Sequence, residues 1–492
     1  MTLGGTRSES EGRVFEDSIG AARSPGPSVQ DLLALDSRTA PRSLIDHSYV
    51  PQGLADVPKS RYTSFDFADL ENRYMWTRTW QMACTVDELA EPGDHVVYDV
   101  ADQSVIVTRT RDGSIKAFHN SCLHRGTKLR LEDGRVGSFR CPFHGWRWDL
   151  DGELVELPAE WDFPHVWQQP DSCLPQAQVA QWCGFVFVNL DSDAPAFNEV
   201  ARKLVEHFDR DFSMSDRYKA FHAVKEIPAN WKVCMEAFAE GYHVIATHPQ
   251  ILEFAGDANS EYSIWPDSPF VTRFVNGFGV QSPHLGPLTE QQIADAYLAF
   301  SARTTRGSVR VPDGKTAREV VADVFRSVMG SMYGKDLSQV SDSEMLDAHL
   351  YHLFPAFAPW AGIGQSLVYR WRPGSTPDTC YMDVIRMMPV PDGQLRPEPA
   401  QVQRLSLDQS WRDAKGMGGL ADVFEQDMEN LPRVQLGLKI AAARAKRSVS
   451  FGAYQEARMR LIHRHIDDMI STGLLEDGKD PSLLEPYAVP EG

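Results

Sequence analysis

The sequence has no apolar run approaching the ~20 residues that a membrane-spanning helix needs. Its seven cysteines are spread over 492 residues, which is too sparse for a disulfide framework. Positive charge is also in deficit, since 49 Lys and Arg stand against 68 Asp and Glu, a formal charge of −19. Such a chain is poorly suited to nucleic acid or an anionic membrane. These deficits predict a cytoplasmic globular protein, and the opening MTLGGTRSES does not resemble a signal peptide.

What the chain does contain is two short clusters of Cys and His. Cys122 and His124 lie in SCLHRG, and Cys141 and His144 lie in CPFHGW. In a reducing compartment, clustered Cys and His side chains more often bind metal than form disulfides. HVVYDV, SVIVTRT, IKAFHN and FVFVNL around them have the composition of β-strands. The sequence therefore predicts a metal centre at hairpin tips of a small β domain.

Two kinds of metal centre fit these four side chains. Zn²⁺ takes Cys and His tetrahedrally, but zinc ribbons usually present their ligands in CxxC or CxxxxC knuckles. Here one residue separates Cys122 from His124, and two separate Cys141 from His144. This is the pattern of a Rieske [2Fe–2S] cluster, in which two His replace two Cys on one iron. We favour the Rieske cluster over zinc, with both cysteines on one iron and both histidines on the other.

A Rieske cluster moves single electrons, so a second site must receive them. Residues 230–249, NWKVCMEAFAEGYHVIATHP, contain His243 and His248. Their spacing of five residues corresponds to about 140° around a regular helix. Pro249 disfavours helical geometry at His248, so the helix should end there and let the second imidazole turn toward the first. The segment predicts a second metal site; the alternative is two unrelated surface histidines at a helix end.

Non-haem Fe(II) is often held by two histidines and one carboxylate. The best source of that carboxylate is GLADVFEQDMENLPRVQLGL, residues 419–438. Asp427 has Phe424 three residues before it and Leu431 four after it, which places it on an apolar face. A carboxylate on such a face needs a partner, and a metal would satisfy it. The remaining acids share what is predicted to be a solvated face: Asp422, Glu425 and Glu429.

Together these motifs resemble the large (α) subunit of Rieske non-haem iron oxygenases, the aromatic-ring-hydroxylating oxygenases, over about residues 60–470. CLHRG and CPFHGW match the cluster motif, and NWK…EGYH…HP matches the iron motif. EQDMENLPRVQLGL resembles the carboxylate helix, with Asp427 at the ligand position. The resemblance implies that Glu240 bridges the His ligands of the two centres across a contact between subunits. Many members have Asp there, whereas some demethylating and monooxygenating branches have Glu.

The resemblance also implies an α+β fold, in which a small all-β Rieske [2Fe–2S] domain accompanies a catalytic domain with a helix-wrapped antiparallel sheet. The hairpin predicted from SLVYRWRP and CYMDVIRMMPV would belong to that sheet. A helical insertion near 288–345 lies outside the family core and could roof the substrate entrance or form a surface or subunit contact. The predicted parts are a flexible leader (1–45), an N-terminal helical segment of the catalytic domain (46–80), the Rieske domain (81–192) and the catalytic mononuclear iron domain (193–492).

The implied function is that of a terminal oxygenase component. Electrons from NAD(P)H would arrive through a ferredoxin, a flavin-dependent reductase or both, and O₂ would hydroxylate an aromatic or related cyclic substrate at the mononuclear Fe(II). Oxidative O- or N-demethylation uses the same residues and stays open. A Rieske electron-transfer protein with an inactive second domain is an alternative of a different class. Family members form homotrimers, some with an additional β subunit, and no nucleic-acid or membrane partner is expected.

Two further sets of residues are candidates for contacts with partners and substrate. Residues 122–148 hold six basic side chains and two acids, a net of +4, so we expect an acidic redox partner to dock there. The alternative is that the basic side chains solvate hairpin tips or pair with acids of a neighbouring subunit. The basic residues are Arg125, Lys128, Arg130, Arg135, Arg140 and Arg147. Candidates for a pocket lining, or equally for plain core, are Phe238, His352, Phe354, Phe357 and Trp360.

Overall fold

A seven-stranded sheet and a small three-stranded sheet form the part of the molecule that contains the Cys and His clusters. The computed structural model describes residues 20–166, 172–301, 309–364, 366–440 and 447–490. In spatial order, the larger sheet contains Gln81–Thr85, Phe185–Asn189, Gln176–Trp182, Ile115–His119, Gln103–Arg109, Asp94–Val100 and Gly134–Arg135. The smaller sheet contains Phe139–Arg140, Arg147–Trp148 and Leu154–Glu156. Each of the four predicted strands of this region overlaps a strand of the larger sheet.

An eight-stranded sheet is the centre of the second part. In spatial order its strands are Glu261–Ile264, Val271–Asn276, Ala348–Leu353, Phe357–Pro359, Leu367–Pro373, Cys380–Pro389, Arg217–Ile227 and Gln403–Leu405. All neighbouring strands in it are antiparallel except Gln403–Leu405, which runs parallel to Arg217–Ile227 at the edge. The predicted long hairpin is present, with Leu367–Pro373 paired to Cys380–Pro389. The α+β fold class is therefore confirmed.

Helices pack on both faces of this sheet, and the strand period explains which core each side chain joins. In Leu367–Pro373, Tyr369 and Trp371 pack into the core that contains Trp231 of one helix and Phe424 of another. Val368 packs on the opposite face of the sheet, in the core that contains Phe197 and Leu204. The longer helices are Val29–Leu35, Phe65–Glu71, Arg202–His207, Trp231–Ala237, Glu290–Phe300, Ala317–Tyr333, Leu420–Leu438 and Ala457–Glu476. The shorter helices are Arg42–Ile45, Phe197–Val200, Val244–Thr247 and Asp342–Leu346. None of the helices in the described ranges is long and apolar enough to cross a membrane.

The β domain is joined to the catalytic sheet by a buried guanidinium. Arg370 donates to the backbone oxygens of Met82 and Ala83, each at 2.8 Å. The same guanidinium pairs with Asp383 at 2.7 and 3.1 Å. Hydrogen bonds that involve charged groups are among the stronger ones in a protein, and the hydrogen bonds of the Arg370 guanidinium reach both domains. The Arg370 side chain thus connects the first strand of the β domain to the catalytic sheet.

The N-terminal segment is ordered where the structure describes it. Val29–Leu35 begins with a capping box between Ser28 and Asp31 and buries Leu32 and Leu33. Ser37 donates to Asp342 through its backbone N–H at 2.6 Å and its hydroxyl at 2.7 Å. Residues 20–45 were predicted as part of a flexible leader; the structure shows that Val29–Leu35 and Ser37 in this stretch contact the catalytic domain. Residues 1–19 lie outside the described ranges.

In its described part, residues 288–301 and 309–345, the predicted insertion forms three helices with their own core. They are Glu290–Phe300, Ala317–Tyr333 and Asp342–Leu346. Thr289 and Thr316 begin the first two with capping boxes. Phe254 stacks on Tyr297 with ring centroids 4.7 Å apart. Because Phe254 follows His248 closely in the chain, the insertion packs directly on the segment that leaves the iron motif.

Candidate metal centres

The two loops that carry Cys122 and Cys141 share one backbone plan. In each, the Cys N–H donates to the carbonyl five residues further on, at 2.8 Å. In each, a glycine four residues after the Cys donates back to the Cys carbonyl, at 2.9 Å for Gly126 and 3.1 Å for Gly145. Both glycines have positive φ, +76° and +81°, which side-chain-bearing residues rarely adopt. The glycines of CLHRG and CPFHGW therefore serve the turns that bring the ligands together.

The four predicted cluster ligands face one another between these loops. Cys122 and Cys141 are buried, and the Nδ1 atoms of His124 and His144 lie 3.1 Å apart nearer the surface. Trp146 stacks on the His124 ring, with the ring planes 8° apart. Two inner sulfurs and two outer ring nitrogens are the donor set of a Rieske cluster, so the residues present fit that group.

Backbone N–H groups lower the pKa of one of the two cysteine thiols. Burial raises the pKa of the Cys122 thiol. Burial also opposes ionisation of Cys141, but the N–H groups of Phe143 and His144 outweigh it and hold the pKa of Cys141 below its usual value. Since the thiolate is the form that binds iron, these donors suit a cluster ligand.

The surface around the cluster differs from the predicted basic patch. Arg125 lies over the Phe143 ring. Most of the other basic side chains have acidic partners within the same domain: Lys128 with Asp99, Arg135 with Asp94, and Arg140 and Arg147 with Glu156. The segment 122–148 has a net charge of +4, but most of this charge is neutralised in space by acids that lie outside the segment in the chain. Several apolar side chains of this domain are exposed, among them Leu123 (39%) and Phe143 (57%), which neighbour the cluster histidines in the chain.

The iron motif begins on Trp231–Ala237 and continues through a turn to the short helix Val244–Thr247. His248 leaves helical geometry, with φ −124° and ψ 53°. This is the break that Pro249 predicts, because a residue before proline is disfavoured in the α region. The break allows the two imidazoles to approach, with ring centroids 5.1 Å apart.

The structure brings His243, His248 and Asp427 together. One potential ligand atom from each lies within 4.8 Å of the others. Asp427 Oδ1 is 3.1 Å from His248 Nε2 and 3.8 Å from His243 Nε2. Asp427 is buried on the apolar face of Leu420–Leu438, as the periodicity of that helix predicts. Two Nε2 atoms and one carboxylate oxygen converge, which fits the 2-His-1-carboxylate set that holds mononuclear Fe(II).

Each histidine of this triad uses its other ring nitrogen in a different way. His243 Nδ1 contacts Glu240 Oε1 at 2.7 Å, and the His243 backbone N–H donates to Glu240 Oε2 at 2.9 Å. His248 Nδ1 contacts the side-chain oxygen of Gln426 at 2.8 Å. With Nδ1 as the donor in both rings, both Nε2 lone pairs are directed at the common centre. Glu240 therefore lies beside the triad, and its bridging role between two subunits stays a prediction.

An aromatic wall borders the triad. Phe238 packs against Tyr369, Trp371 and Phe424, with ring centroids 5.3, 5.8 and 5.5 Å apart, and Phe424 precedes Asp427 by one helical turn. Of the predicted pocket residues, Phe238 belongs to this wall and Trp360 contacts it through Tyr369 at 5.9 Å. Phe357 lies in the core on the opposite face of the sheet, packed on Phe185 and Phe187. His352 and Phe354 are buried, and His352 contacts the Pro355 carbonyl.

The predicted solvated face of Leu420–Leu438 needs one correction. Glu425 is half-buried and accepts hydrogen bonds from the Ser410 hydroxyl at 2.8 Å and the Trp411 N–H at 2.5 Å. It therefore caps a neighbouring turn and is not free in solvent. Glu429 is exposed, as that prediction requires.

Sequence reasoning missed Gln426 and Tyr369. Tyr369 has a weak signal, since alternation along SLVYRWRP puts Tyr369 and Trp371 on one face of a strand. Gln426 has none, because an amide beside a buried Asp on a helix matches no ligand pattern. Its contact with His248 depends on where the 247–250 segment lies in space.

Comparison with known proteins matches both parts of the chain to family models. The family described as Rieske [2Fe–2S] domain matches residues 79–167. The family described as ring hydroxylating alpha subunit (catalytic domain) matches residues 206–472, more than half of the chain. The fold and the two sites thus define a protein in which a Rieske domain accompanies a catalytic domain of the class that binds mononuclear iron. The chain belongs to the family of ring-hydroxylating alpha subunits.

Individual relatives resemble this chain over part of their length. The carnitine monooxygenase oxygenase subunit of Acinetobacter pittii is 31% identical over 194 residues, 39% of this chain and 52% of that protein. The chlorobenzene dioxygenase subunit alpha of Cupriavidus sp. is 33% identical over 195 residues, 38% of this chain and 42% of that protein. The chain thus spans about half the length of the curated relatives it matches.

Solved structures share the fold. A quaternary ammonium Rieske monooxygenase superposes with a TM-score of 0.58 at 19% identity, over 86% of this chain and all of that one. Naphthalene 1,2-dioxygenase from Rhodococcus sp., bound to indole, superposes with a TM-score of 0.55 at 19% identity, over 85% and 94%. Monooxygenases and dioxygenases therefore both share this architecture.

Proposed function

We propose that the protein is the terminal oxygenase component of a Rieske non-haem iron system that inserts oxygen from O₂ into a small organic substrate. The observation that carries the proposal is the convergence of two donor sets in one chain: Cys122, Cys141, His124 and His144 at one site, and His243, His248 and Asp427 at the other. The first set suits the storage of one electron at a time. The second leaves part of the coordination sphere for O₂.

The residues around the triad have definable tasks. Mononuclear iron, when bound, supplies the redox chemistry that activates O₂. Glu240 accepts the Nδ1 hydrogen of His243 and so holds that ring with Nε2 inward. The aromatic wall limits water next to the triad and offers ring faces to a substrate. An electron-transfer protein with an inactive second domain has no need of a converging triad, so this alternative is disfavoured.

Electron delivery is proposed to occur between neighbouring copies in a homotrimer, with or without a β subunit. Apolar side chains are exposed beside both centres. Leu123 and Phe143 flank the cluster histidines, and Tyr242 and Ile245 flank His243, with exposed fractions of 61% and 40% for the latter pair. Exposed apolar surface of this kind is typical of contact sites. A ferredoxin or flavin-dependent reductase, drawing on NAD(P)H, is the proposed external donor to the cluster.

For the substrate, we propose an aromatic or related cyclic compound held against the aromatic wall. Two observations favour a second candidate, a quaternary ammonium compound that is oxidatively cleaved or demethylated. Aromatic ring faces attract such cations, and Phe238, Tyr369, Trp371 and Phe424 form a cluster of four rings, of which Phe424 lies one helical turn before Asp427. The bridging carboxylate here is Glu240, the variant that occurs in demethylating branches.

Turnover with ¹⁸O₂ separates these substrates. The reduced protein, supplied with a generic ferredoxin and reductase, is incubated with matched aromatic acids, neutral arenes and trimethylammonium compounds. We expect label in a hydroxylated ring product for the first candidate, and label together with a released aldehyde or amine for the second. Absence of label from the products of every reduced, iron-loaded incubation would contradict oxygenation of these substrate classes.

A further inference from the structure

Two consecutive residues of one helix contact the two ring nitrogens of His248. Asp427 Oδ1 lies 3.1 Å from Nε2, and Gln426 Oε1 lies 2.8 Å from Nδ1. Asn430, one turn further on, donates from its side chain to the Thr247 hydroxyl at 3.2 Å. The helix Leu420–Leu438 therefore positions the segment that carries His248 through contacts additional to the proposed ligand.

Gln426 is itself oriented by a second amide. Gln250 Nε2 donates to Gln426 Oε1 at 2.7 Å, and Gln426 Nε2 donates to Gln250 Oε1 at 3.2 Å. Gln426 Oε1 thus accepts from both Gln250 and His248 Nδ1–H. The reciprocal pair fixes which end of the Gln426 amide faces the ring.

The amide pair differs from the support of His243 in one chemical respect. Glu240 is a carboxylate, which only accepts hydrogen bonds when ionised, so it supports a single tautomer of His243. An amide has an accepting and a donating end. If Gln426 and Gln250 turned over together, both hydrogen bonds between them would be kept, and Gln426 Nε2 would face His248 Nδ1. The ring hydrogen would then be on Nε2, where it can be donated to Asp427 at 3.1 Å in place of a metal.

We infer that the Gln426–Gln250 amide pair is the positioning device of His248, holding it as a metal ligand in one arrangement and stabilising its metal-free tautomer in the other. The inference rests on the proposed iron site at His243, His248 and Asp427. The Gln426 amide can hydrogen-bond to either tautomer of His248, so it permits release of iron from this ligand. The Glu240 carboxylate hydrogen-bonds to only one tautomer of His243 and does not permit release there. Gln426 and Gln250 act through His248 and are positioning residues.

Substitutions at Gln426 separate this role from simple packing. Gln426→Leu removes the hydrogen bond to Nδ1, and loss of the hydrogen-bond partner of a metal-ligating histidine typically weakens metal affinity by about 10- to 100-fold. Gln426→Glu keeps an acceptor and removes the donating end, so only the metal-ready tautomer is supported. We therefore expect iron to be held more weakly in Gln426→Leu and at least as tightly in Gln426→Glu, with slower release from the latter.

Variants at Gln250 and at the exposed Glu429 provide a second test and a control. Gln250→Leu removes the group that orients Gln426, so we expect a smaller loss than in Gln426→Leu. The double variant should bind iron no more weakly than Gln426→Leu alone, because both changes act through one contact. Glu429 lies on the exposed side of the same helix, so Glu429→Gln should retain iron as well as the wild type does.

The measurement is anaerobic removal of mononuclear Fe(II) by a chelator, followed as a rate and as an affinity in the whole protein. The visible spectrum of the Rieske cluster serves as the internal standard for folded chain. Iron retention that is strongest in Gln426→Glu, intermediate in the wild type and weakest in Gln426→Leu supports the inference. Equal retention in all three, or equal losses in Gln426→Glu and Gln426→Leu, would overturn it. A wild-type protein that carries the cluster and binds no further iron would instead refute the proposed function.

Discussion

His243→Ala, His248→Ala and Asp427→Ala are each expected to abolish substrate oxygenation and to leave the Rieske spectrum unchanged. The three side chains bring their ligand atoms within 4.8 Å of one another, and no two of them complete the facial set. Loss of a hydrogen-bond partner of a ligand alone costs about 10- to 100-fold in metal affinity or activity, so loss of a ligand itself should cost more than about a hundredfold in turnover. Turnover, iron content and the visible spectrum are measured on the same preparations.

Glu429→Ala is the matched control for these variants. Glu429 lies on the same helix as Asp427 but is exposed, and its replacement should leave turnover and iron content unchanged. Glu425 is unsuitable as a control, because its carboxylate accepts hydrogen bonds from Ser410 and Trp411. Full turnover in Asp427→Ala would show that another group supplies the carboxylate ligand.

Cys141→Ser is expected to produce the opposite pattern, with loss of the cluster and retention of the mononuclear iron. Cys141 is buried between the two loops, and its thiol receives the N–H groups of Phe143 and His144. A serine oxygen is a poor substitute for a thiolate on a [2Fe–2S] cluster. The protein should lose its colour and two irons per chain, and it should lose reductase-driven turnover with them.

Cys173→Ser is the control for the cluster variant. Cys173 belongs to the same domain but contacts Glu153 at 3.0 Å and lies outside the two cluster loops. We expect its replacement to leave the visible spectrum and the turnover unchanged. A fully coloured Cys141→Ser protein would contradict the assigned ligand set.

The sequence predicts local features of the site well, for reasons that these residues make clear. The periodicity places Asp427 on the buried face of its helix, because the apolar residues three before and four after it follow the helical period. Pro249 predicts the break at His248, because proline restricts the backbone of the residue before it. In both cases the deciding interaction lies within one turn of chain.

Contacts between distant segments could not be predicted in the same way. Arg370 joins the catalytic sheet to Met82 and Ala83, and the chain separation of nearly 300 residues leaves no periodic signal. The acids that neutralise the predicted basic patch, such as Asp94 and Glu156, come from neighbouring strands outside the cluster loops. The leader is mostly polar in composition, so its sequence does not predict that Leu32 and Leu33 are buried.

Iron, zinc and acid-labile sulfide per chain, measured with electron paramagnetic resonance of the reduced protein, test the central claim most directly. The account predicts three irons, two in the cluster and one at the triad, together with two sulfides and the low average g-value of a His-ligated cluster. A folded, colourless protein that contains zinc would contradict the Rieske assignment. A protein with two irons per chain after anaerobic loading with Fe(II) would contradict the oxygenase and leave an electron carrier.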